Sequence, residues 1–162
     1  MRVLALDQAS RVTGWAVYDD KRLYAYGKIS ATHSDIGDRL YYIRQQVIQL
    51  INEYDIGEVV FEDIQLQDNK INNVATFKTL AEVFGVLHEL FVELKLPREA
   101  VLSTVWKSKL GLKGYDRTAQ KRAAQAWVKE KFNISPTQDE CDAKCIGYYY
   151  TQHRVETFDW SE

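Results

Sequence analysis

The sequence predicts an α/β fold in which helices flank a mixed β-sheet, because two apolar runs have the pattern of central strands. Residues 1–8 (MRVLALDQ) and 58–64 (EVVFEDI) are apolar on both alternating faces until each run reaches a carboxylate. Strands of this kind are covered on both sides and are typical of the parallel part of an α/β sheet. Helical periodicity between and after the two runs supplies the covering layers.

Antiparallel strands and then a helix are predicted after the first run. The polar loop QASRVTG leads into two β-prone runs at 15–18 and 22–28, which gives three adjacent antiparallel strands. From Ser34, a suitable N-cap, apolar residues recur every three or four positions and indicate a helix with one apolar stripe. That stripe consists of Ile36, Leu40, Ile43, Val47, Leu50 and Tyr54. Gly57 closes the connection to the run at 58–64, which is expected to pair in parallel with the first strand.

A long helix is predicted at 73–95. Its apolar residues are too many for one narrow stripe, which predicts a second packing surface such as a dimer contact. The remaining predicted elements are a short strand at 100–103, a brief helix capped by Thr104, and helices at 118–132 and from Thr137 to about His153. One domain is expected over residues 1–153, with residues 154–162 as a C-terminal tail.

Composition argues against a membrane protein and against a disulfide framework. No run is long enough to cross a bilayer and no secretory signal is recognisable, so an intracellular, cytoplasmic location is expected. Cys141 and Cys145 lie one helical turn apart, and the three scattered histidines do not complete a zinc site around them. The two cysteines are therefore expected to be small core residues.

Positive charge is concentrated in one part of an acidic chain. The net charge is −2 and the pI is about 6.0, which taken alone argues against a nucleic-acid partner. The segment 105–131, however, carries +6, and the remainder of the chain carries −8. This segment can be a solvated helix face, or it can be one basic surface that attracts a polyanion.

Four carboxylates are predicted to meet at one end of the sheet. Asp7 ends the first strand, and Glu62 lies on the equivalent face at the end of its parallel neighbour. Asp139 and Asp142 are three residues apart on the last helix and face the same direction. Each acid has an ordinary structural explanation when taken singly, but together they would repel one another unless a divalent cation lies between them. Oxygen ligands alone suit Mg²⁺ or Mn²⁺.

These residues carry a family resemblance. The motifs LALDQASRVTGWAV, VVFED and DECDA resemble those of the RuvC Holliday junction resolvases, members of the RNase H-like superfamily. The resemblance covers about residues 2–150. It implies an RNase H-like sheet, a homodimer formed through the long helix, and Mg²⁺-dependent endonuclease action on branched DNA during recombination and DNA processing, with Mn²⁺ as a substitute metal.

The resemblance also implies roles for single residues. The metal-binding and catalytic acids match Asp7, Glu62, Asp139 and Asp142, and Lys107 matches a basic residue that serves the phosphate. A second basic residue of the family corresponds to Arg117 or Lys121, and the spacing does not decide between them. The side chains expected to contact DNA are Lys109, Lys113, Arg117, Lys121 and Gln65.

Two departures from the family pattern stand out. Cellular members follow the first aspartate with Pro-Gly, whereas this chain has Gln8 and Ala9. Gln65 stands where the family often has a phenylalanine that wedges into the junction, and an apolar wedge is one way to hold distorted DNA. A structure-selective nuclease with loose sequence preference is therefore expected. The compact chain resembles phage-encoded relatives more than cellular ones.

Two other functions remain open from the sequence. An actin-like or sugar-kinase-like nucleotide-binding domain shares the opening strand, loop and strand, but it needs a glycine-rich phosphate loop where this chain offers only Gly14. A branched-DNA binding module without catalysis would bind DNA independently of metal and leave it uncut.

Overall fold

The computed structural model describes residues 1–65, 74–112, 116–135 and 137–153, without the side chains of residues 138 and 139. The strands in these residues are β1 (Arg2–Asp7), β2 (Val12–Asp19), β3 (Arg22–Ser30), β4 (Ile56–Glu62) and β5 (Arg98–Val101). The helices are α1 (Ile36–Glu53), α2 (Val74–Glu93), α3 (Ser103–Lys109), α4 (Arg117–Phe132) and α5 (Gln138–His153).

The described strands form one mixed sheet in the order β3-β2-β1-β4-β5. Strand β1 pairs antiparallel with β2, which pairs antiparallel with β3, while β1–β4 and β4–β5 are parallel. This confirms the predicted mixed sheet. It also confirms that the two apolar runs are parallel neighbours at its centre.

Each face of the sheet has its own hydrophobic core. Leu4, Leu6 and Phe61 pack beneath α1 and α2, whereas Val3 and Val60 pack with residues of α3, α4 and α5. Because side chains alternate along a strand, the carboxylates that follow Val3 and Val60 by even steps emerge on the α5 side.

Small residues let α5 lie close to the sheet. Gly147 faces the ring of Tyr18, and Ala143 is fully buried in the same core. The Tyr18 hydroxyl donates to the Lys144 carbonyl at 2.7 Å. The Lys144 ammonium is itself buried, 3.4 Å from Glu140 Oε1 and 3.5 Å from the centre of the Tyr26 ring. Helix α5 is thus fixed in both height and rotation on the sheet.

Gly147→Ala is expected to destabilise the protein strongly. An added Cβ would lie 2.6 Å from Tyr18 Cδ2 and 3.1 Å from Ala5 Cβ, so a buried ring or the helix must move. Overpacking of this kind costs about 1–3 kcal/mol, which corresponds to a Tm roughly 3–10 °C lower for a chain of this size. Gly85→Ala in α2 is the matched control, because nothing lies within 4 Å of its added Cβ. The control should keep or slightly raise the Tm in thermal unfolding, and equal losses in both variants would contradict close packing at Gly147.

Several predicted boundaries were wrong by one or a few residues. Asp35, not Ser34, caps α1, since its side chain accepts from the Asp38 N–H at 3.1 Å. Helix α3 begins at Ser103, and Leu102 precedes it without a side-chain cap, so Thr104 is not the cap. Gly57 does not lie in the connection. It lies inside β4 at a shift in the β1–β4 register, as the extra residue.

The polar loop after β1 is shorter than predicted, because β2 already begins at Val12. The start of the predicted helix 73–95 and the tail 154–162 lie outside the described residues, while α2 itself is confirmed. Cys141 and Cys145 are buried free thiols, as expected of core residues. None of the described helices is long and apolar enough to span a bilayer.

Candidate active site

Asp7 and Glu62 lie at the ends of the two central strands. The β1–β4 register pairs Leu6 with Phe61, and Asp7 and Glu62 are the next residues on each strand. Both side chains are on the face that α5 covers, and each keeps some contact with solvent. The parallel pairing therefore places two carboxylates side by side at one edge of the sheet.

Asp142 on α5 joins these two acids, and we call Asp7, Glu62 and Asp142 the acidic cluster. The close packing of α5 on β1 and β2 carries Asp142 to this edge. Burial raises the pKa of Asp142, while the positive charges of Lys107, Lys121 and Arg117 act to lower it. We call these three residues the basic flank.

Mutual repulsion is visible in the acidic cluster. Burial raises the pKa of Asp7 well above its usual value, and the charges of Glu62 and Asp142 raise it further. Burial and the charge of Asp142 raise the pKa of Glu62 to about 7. Each of the three side chains keeps some contact with solvent. Burial is nevertheless the largest cause of the raised pKa in all three acids. Lys107 opposes all three shifts but does not reverse them, so the ionised form of each acid remains disfavoured.

Helix α3 brings Lys107 and Trp106 to the acidic cluster. The Lys107 ammonium lies 5.3 Å from the centre of the Trp106 ring and donates to Gln120 Oε1 of α4 at 3.4 Å. Trp106 is fully buried, and its indole N–H is close enough to Glu62 to lower the pKa of that carboxyl. Its Nε1 nevertheless has no hydrogen-bond partner of good geometry among the described residues. This N–H beside the cluster is therefore an unsatisfied donor.

Gln8 and Thr13 fix the loop behind Asp7. The Gln8 side chain donates to the Glu62 carbonyl at 2.5 Å and accepts from the Glu62 N–H at 3.2 Å. The Thr13 hydroxyl donates to the Ala9 carbonyl at 2.9 Å and accepts from the Ala9 N–H at 3.2 Å. From the sequence, Gln8 was only a departure from the family pattern, and Trp106 was assigned no role. Neither role has a sequence signal, because both depend on where strands end in space.

The other predicted site residues are placed less completely. Arg117 is exposed and Lys121 half-buried on α4, and Lys121 has the larger effect on Asp142. Lys109 is exposed at the end of α3, and Gln65 is exposed beyond the end of β4. The Asp139 side chain and all of Lys113 lie outside the described residues.

The donor set fits a hard divalent cation, although the described side chains do not form a closed metal cage. Within the described residues, no group of three or more His, Cys, Asp or Glu side chains is arranged to hold an ion. Mg²⁺ does not need such a cage, because it usually keeps several waters and takes one or two carboxylates together with substrate phosphates. The grouping of three carboxyls and their oxygen-only chemistry suit that kind of site.

Comparison with known proteins finds relatives that share one name and match more than nine-tenths of this chain. No protein-family model matches the chain. The crossover junction endodeoxyribonuclease RuvC of Dictyoglomus thermophilum is 32% identical, over 94% of this chain and 98% of that protein. The RuvC of Finegoldia magna is 31% identical, over 91% and 90% of the two chains. The chain belongs to the RuvC family.

Solved structures agree on the fold of this RuvC-family chain. Thermus thermophilus RuvC, solved in complex with a Holliday junction substrate, matches with a TM-score of 0.72 at 16% identity, over 94% of this chain and 96% of that one. The yeast mitochondrial Holliday junction resolvase matches with a TM-score of 0.54 at 13% identity, over 93% and 77%. The predicted RNase H-like architecture is therefore confirmed.

Proposed function

We propose that this RuvC-family nuclease cuts phosphodiester bonds in branched DNA, with four-way junctions as its main substrate. The observation that carries the proposal is the acidic cluster on two parallel strand ends and α5, bordered on one side by the basic flank. We expect the reaction to take place inside the cell, during recombination and DNA processing. The enzymatic activity follows from the family, and the roles of single residues are our assignment.

Asp7, Glu62, Asp142 and Asp139 are proposed to hold Mg²⁺, for which Mn²⁺ can substitute. When bound, the divalent cations activate a water for attack on phosphorus and stabilise charge on the leaving oxygen. The strand-end carboxylates would orient that water, and the buried side chains of Trp106 and Cys141 lie beside them. The family's divalent-metal chemistry and the shifted pKa values of the acids support this assignment.

The basic flank is proposed to bind the scissile strand. Among the basic residues, Lys107 lowers the pKa of all three acids most. It would stabilise charge developing on the phosphate. Lys121 and Arg117 would contact neighbouring phosphates, and the stronger effect of Lys121 on Asp142 favours it as the second basic residue of the family pattern. The remaining proposed DNA contacts are Lys109, Lys113 and Gln65, which would grip the DNA without reading its sequence.

A homodimer formed through α2 is proposed to pair two such sites. Phe77, Leu80 and Ala81 are half-buried and lie outside the core that α2 shares with the sheet in the described residues, and Val74 is 65% exposed. These residues continue the stripe of Leu87 and Phe91 toward the start of α2, beyond the part that packs on the sheet, and such apolar side chains need a partner surface. Two active sites related by a twofold axis suit the two strands that must be cut in a four-way junction.

Leu80→Asp is expected to weaken the dimer by at least about tenfold, because a buried carboxylate at the interface would lack a partner. Sedimentation velocity over a concentration series measures the effect, and circular dichroism checks the fold. Tyr41→Asp on α1 is the control, since Tyr41 is 67% exposed on another helix. A monomeric wild type, or equal weakening by the control, would contradict an α2 interface.

The test of the proposed function is cleavage of a labelled four-way junction and a plain duplex of the same sequence, each with and without Mg²⁺. Cutting of the junction that requires Mg²⁺ and exceeds duplex cutting is the expected result. Junction binding, measured without metal, should weaken steeply between 50 and 200 mM salt if the basic flank contacts phosphates, by about tenfold for every two phosphates contacted. No Mg²⁺-dependent cutting of the junction would reject the nuclease, and a flat salt response would remove the basic flank from the interface.

Family membership disfavours the two alternatives. A nucleotide-binding domain would show thermal stabilisation by ATP and no action on junctions. A non-catalytic module would bind junctions equally with and without Mg²⁺ and leave them intact.

A further inference from the structure

Strands β1 and β4 separate just before the acidic cluster. Their backbone pairing runs as far as Leu6 and Phe61, and Asp7 pairs on its other side with Gly14 of β2. On the far side of β4, the Asp63 N–H donates to the Val101 carbonyl at 2.9 Å. The N–H and C=O of Glu62 therefore face β1 at the level where the β1 backbone no longer reaches them.

The Gln8 side chain fills this gap. Its amide donates to the Glu62 carbonyl at 2.5 Å and accepts from the Glu62 N–H at 3.2 Å. The NH₂ and the carbonyl oxygen of a primary amide can present a donor and an acceptor side by side, the same pair that a neighbouring strand would offer. Gln8 is only 6% exposed, so these bonds are shielded from competing water. The side chain of one residue thus extends the β1–β4 ladder by one step.

Both ends of this bridge belong to the acidic cluster. Gln8 directly follows Asp7 in the chain, and it binds the backbone of Glu62 on both of its polar groups. Asp7 and Glu62 lie side by side at the ends of these strands, so their ionised carboxylates repel one another. Repulsion across a place where two strands separate would move the strand ends apart unless something joined them.

We propose that Gln8 is a positioning residue, which holds Glu62 beside Asp7 at the separation that a divalent cation needs. The proposal rests on the proposed function, because it assumes that these two acids bind metal. Gln8 touches neither the metal nor DNA in this role. It acts through the backbone of Glu62.

The test compares metal binding in two isosteric variants. Gln8→Met keeps the volume of the side chain and removes both bonds to Glu62. Thr13→Val is the matched control, because Thr13 is fully buried at the start of β2 and its two side-chain bonds join only Ala9 of the loop. Mn²⁺ binding without DNA is followed by the electron paramagnetic resonance of free Mn²⁺. The Mg²⁺ concentration for half-maximal junction cleavage and the Tm are measured in parallel.

We expect Gln8→Met to weaken Mn²⁺ binding and to raise the half-maximal Mg²⁺ concentration by about three- to tenfold, with cleavage recovering at high Mg²⁺. Thr13→Val should lower the Tm by a similar amount and leave both metal measurements within twofold of wild type. A general loss of structure would lower the active fraction in both variants without moving the Mg²⁺ midpoint. Gln8→Asn, which keeps the amide but is one methylene too short to reach both groups, should reproduce the effect of Gln8→Met.

Three results would overturn the proposal. Unchanged Mn²⁺ and Mg²⁺ midpoints in a folded Gln8→Met protein would show that the bridge does not position the acids. Equal shifts in Thr13→Val would assign the effect to the loop as a whole. Failure of both Gln8 variants to fold, with Thr13→Val folded, would make Gln8 a structural residue only. A wild-type protein that neither binds Mn²⁺ nor cuts junctions would instead reject the proposed function, so the two failures are distinguishable.

Discussion

Asp7→Asn is expected to lower junction cleavage by roughly 10³-fold or more, which is the scale of loss when one member of a catalytic unit is removed. The same variant should have a higher Tm than wild type in the absence of metal. Burial and the charges of Glu62 and Asp142 raise the pKa of Asp7, so its ionised form opposes folding at neutral pH. An uncharged amide of the same shape removes that repulsion. Each kcal/mol gained raises the Tm by about 2–4 °C in a chain of this size.

The combination of lost activity and gained stability separates a functional carboxylate from a structural one. An acid can also stabilise the fold by pairing with a basic side chain or by lying at a helix N-terminus. Neutralising an acid of that kind would lower the Tm. When removal of a side chain stabilises a protein, that residue is typically kept for function and not for folding. Cleavage of a junction at saturating Mg²⁺ and thermal unfolding in a chelator are the two measurements.

Asp63→Asn is the matched control for this variant. Asp63 follows Glu62 directly, and its Oδ1 accepts from the Ile64 N–H at 2.8 Å, a bond that an amide oxygen can keep. We expect cleavage within about threefold of wild type and an unchanged Tm, because this bond remains. A drop in Tm for Asp7→Asn, or cleavage equal to wild type, would contradict the place of Asp7 in the site.

Most of the fold and the central part of the candidate site could be predicted from the alternation of apolar residues. In β1 and β4 the apolar run and its terminal acid lie in the same short segment, so the sequence alone predicted two parallel strands that end in Asp7 and Glu62. The i, i+3 pattern of α5 likewise predicted that an acid of this helix would face them. These inferences needed only strand and helix periodicity.

Features that depend on a contact between distant segments were beyond the sequence. The bridge from Gln8 to Glu62 spans 54 positions and exists only because β1 and β4 separate after Leu6 and Phe61. The close approach of α5 depends on Gly147 lying opposite Tyr18, which no local pattern reveals. The prediction of the N-cap of α1 was wrong for a different reason. Ser34 and Asp35 are both good caps, and only the backbone geometry decides between them.

The stability of the metal-free protein is expected to fall as the pH rises from about 4.5 to about 7. The pKa of Glu62 is about 7 in the folded chain against an ordinary value of 4.5. Between these two values the folded state keeps the proton and the unfolded state has released it, so raising the pH favours unfolding. The contribution of Glu62 is complete below 4.5 and is lost by about pH 7. It amounts to about 3 kcal/mol, and the raised pKa values of Asp7 and Asp142 act in the same direction.

Mg²⁺ should reverse this pH dependence, because a cation binds the ionised acids and stabilises the folded state in proportion to its affinity. Chemical unfolding at pH 5.5 and 7.5, with Mg²⁺ and with a chelator, measures both effects. Glu62→Gln removes the titrating group and should flatten the metal-free profile, so the difference between variant and wild type isolates Glu62 from other titrating residues. A wild-type profile that rises with pH in chelator, or an equal gain from Mg²⁺ at both pH values, would mean that the acidic cluster is not the strained, cation-binding group that its raised pKa values indicate.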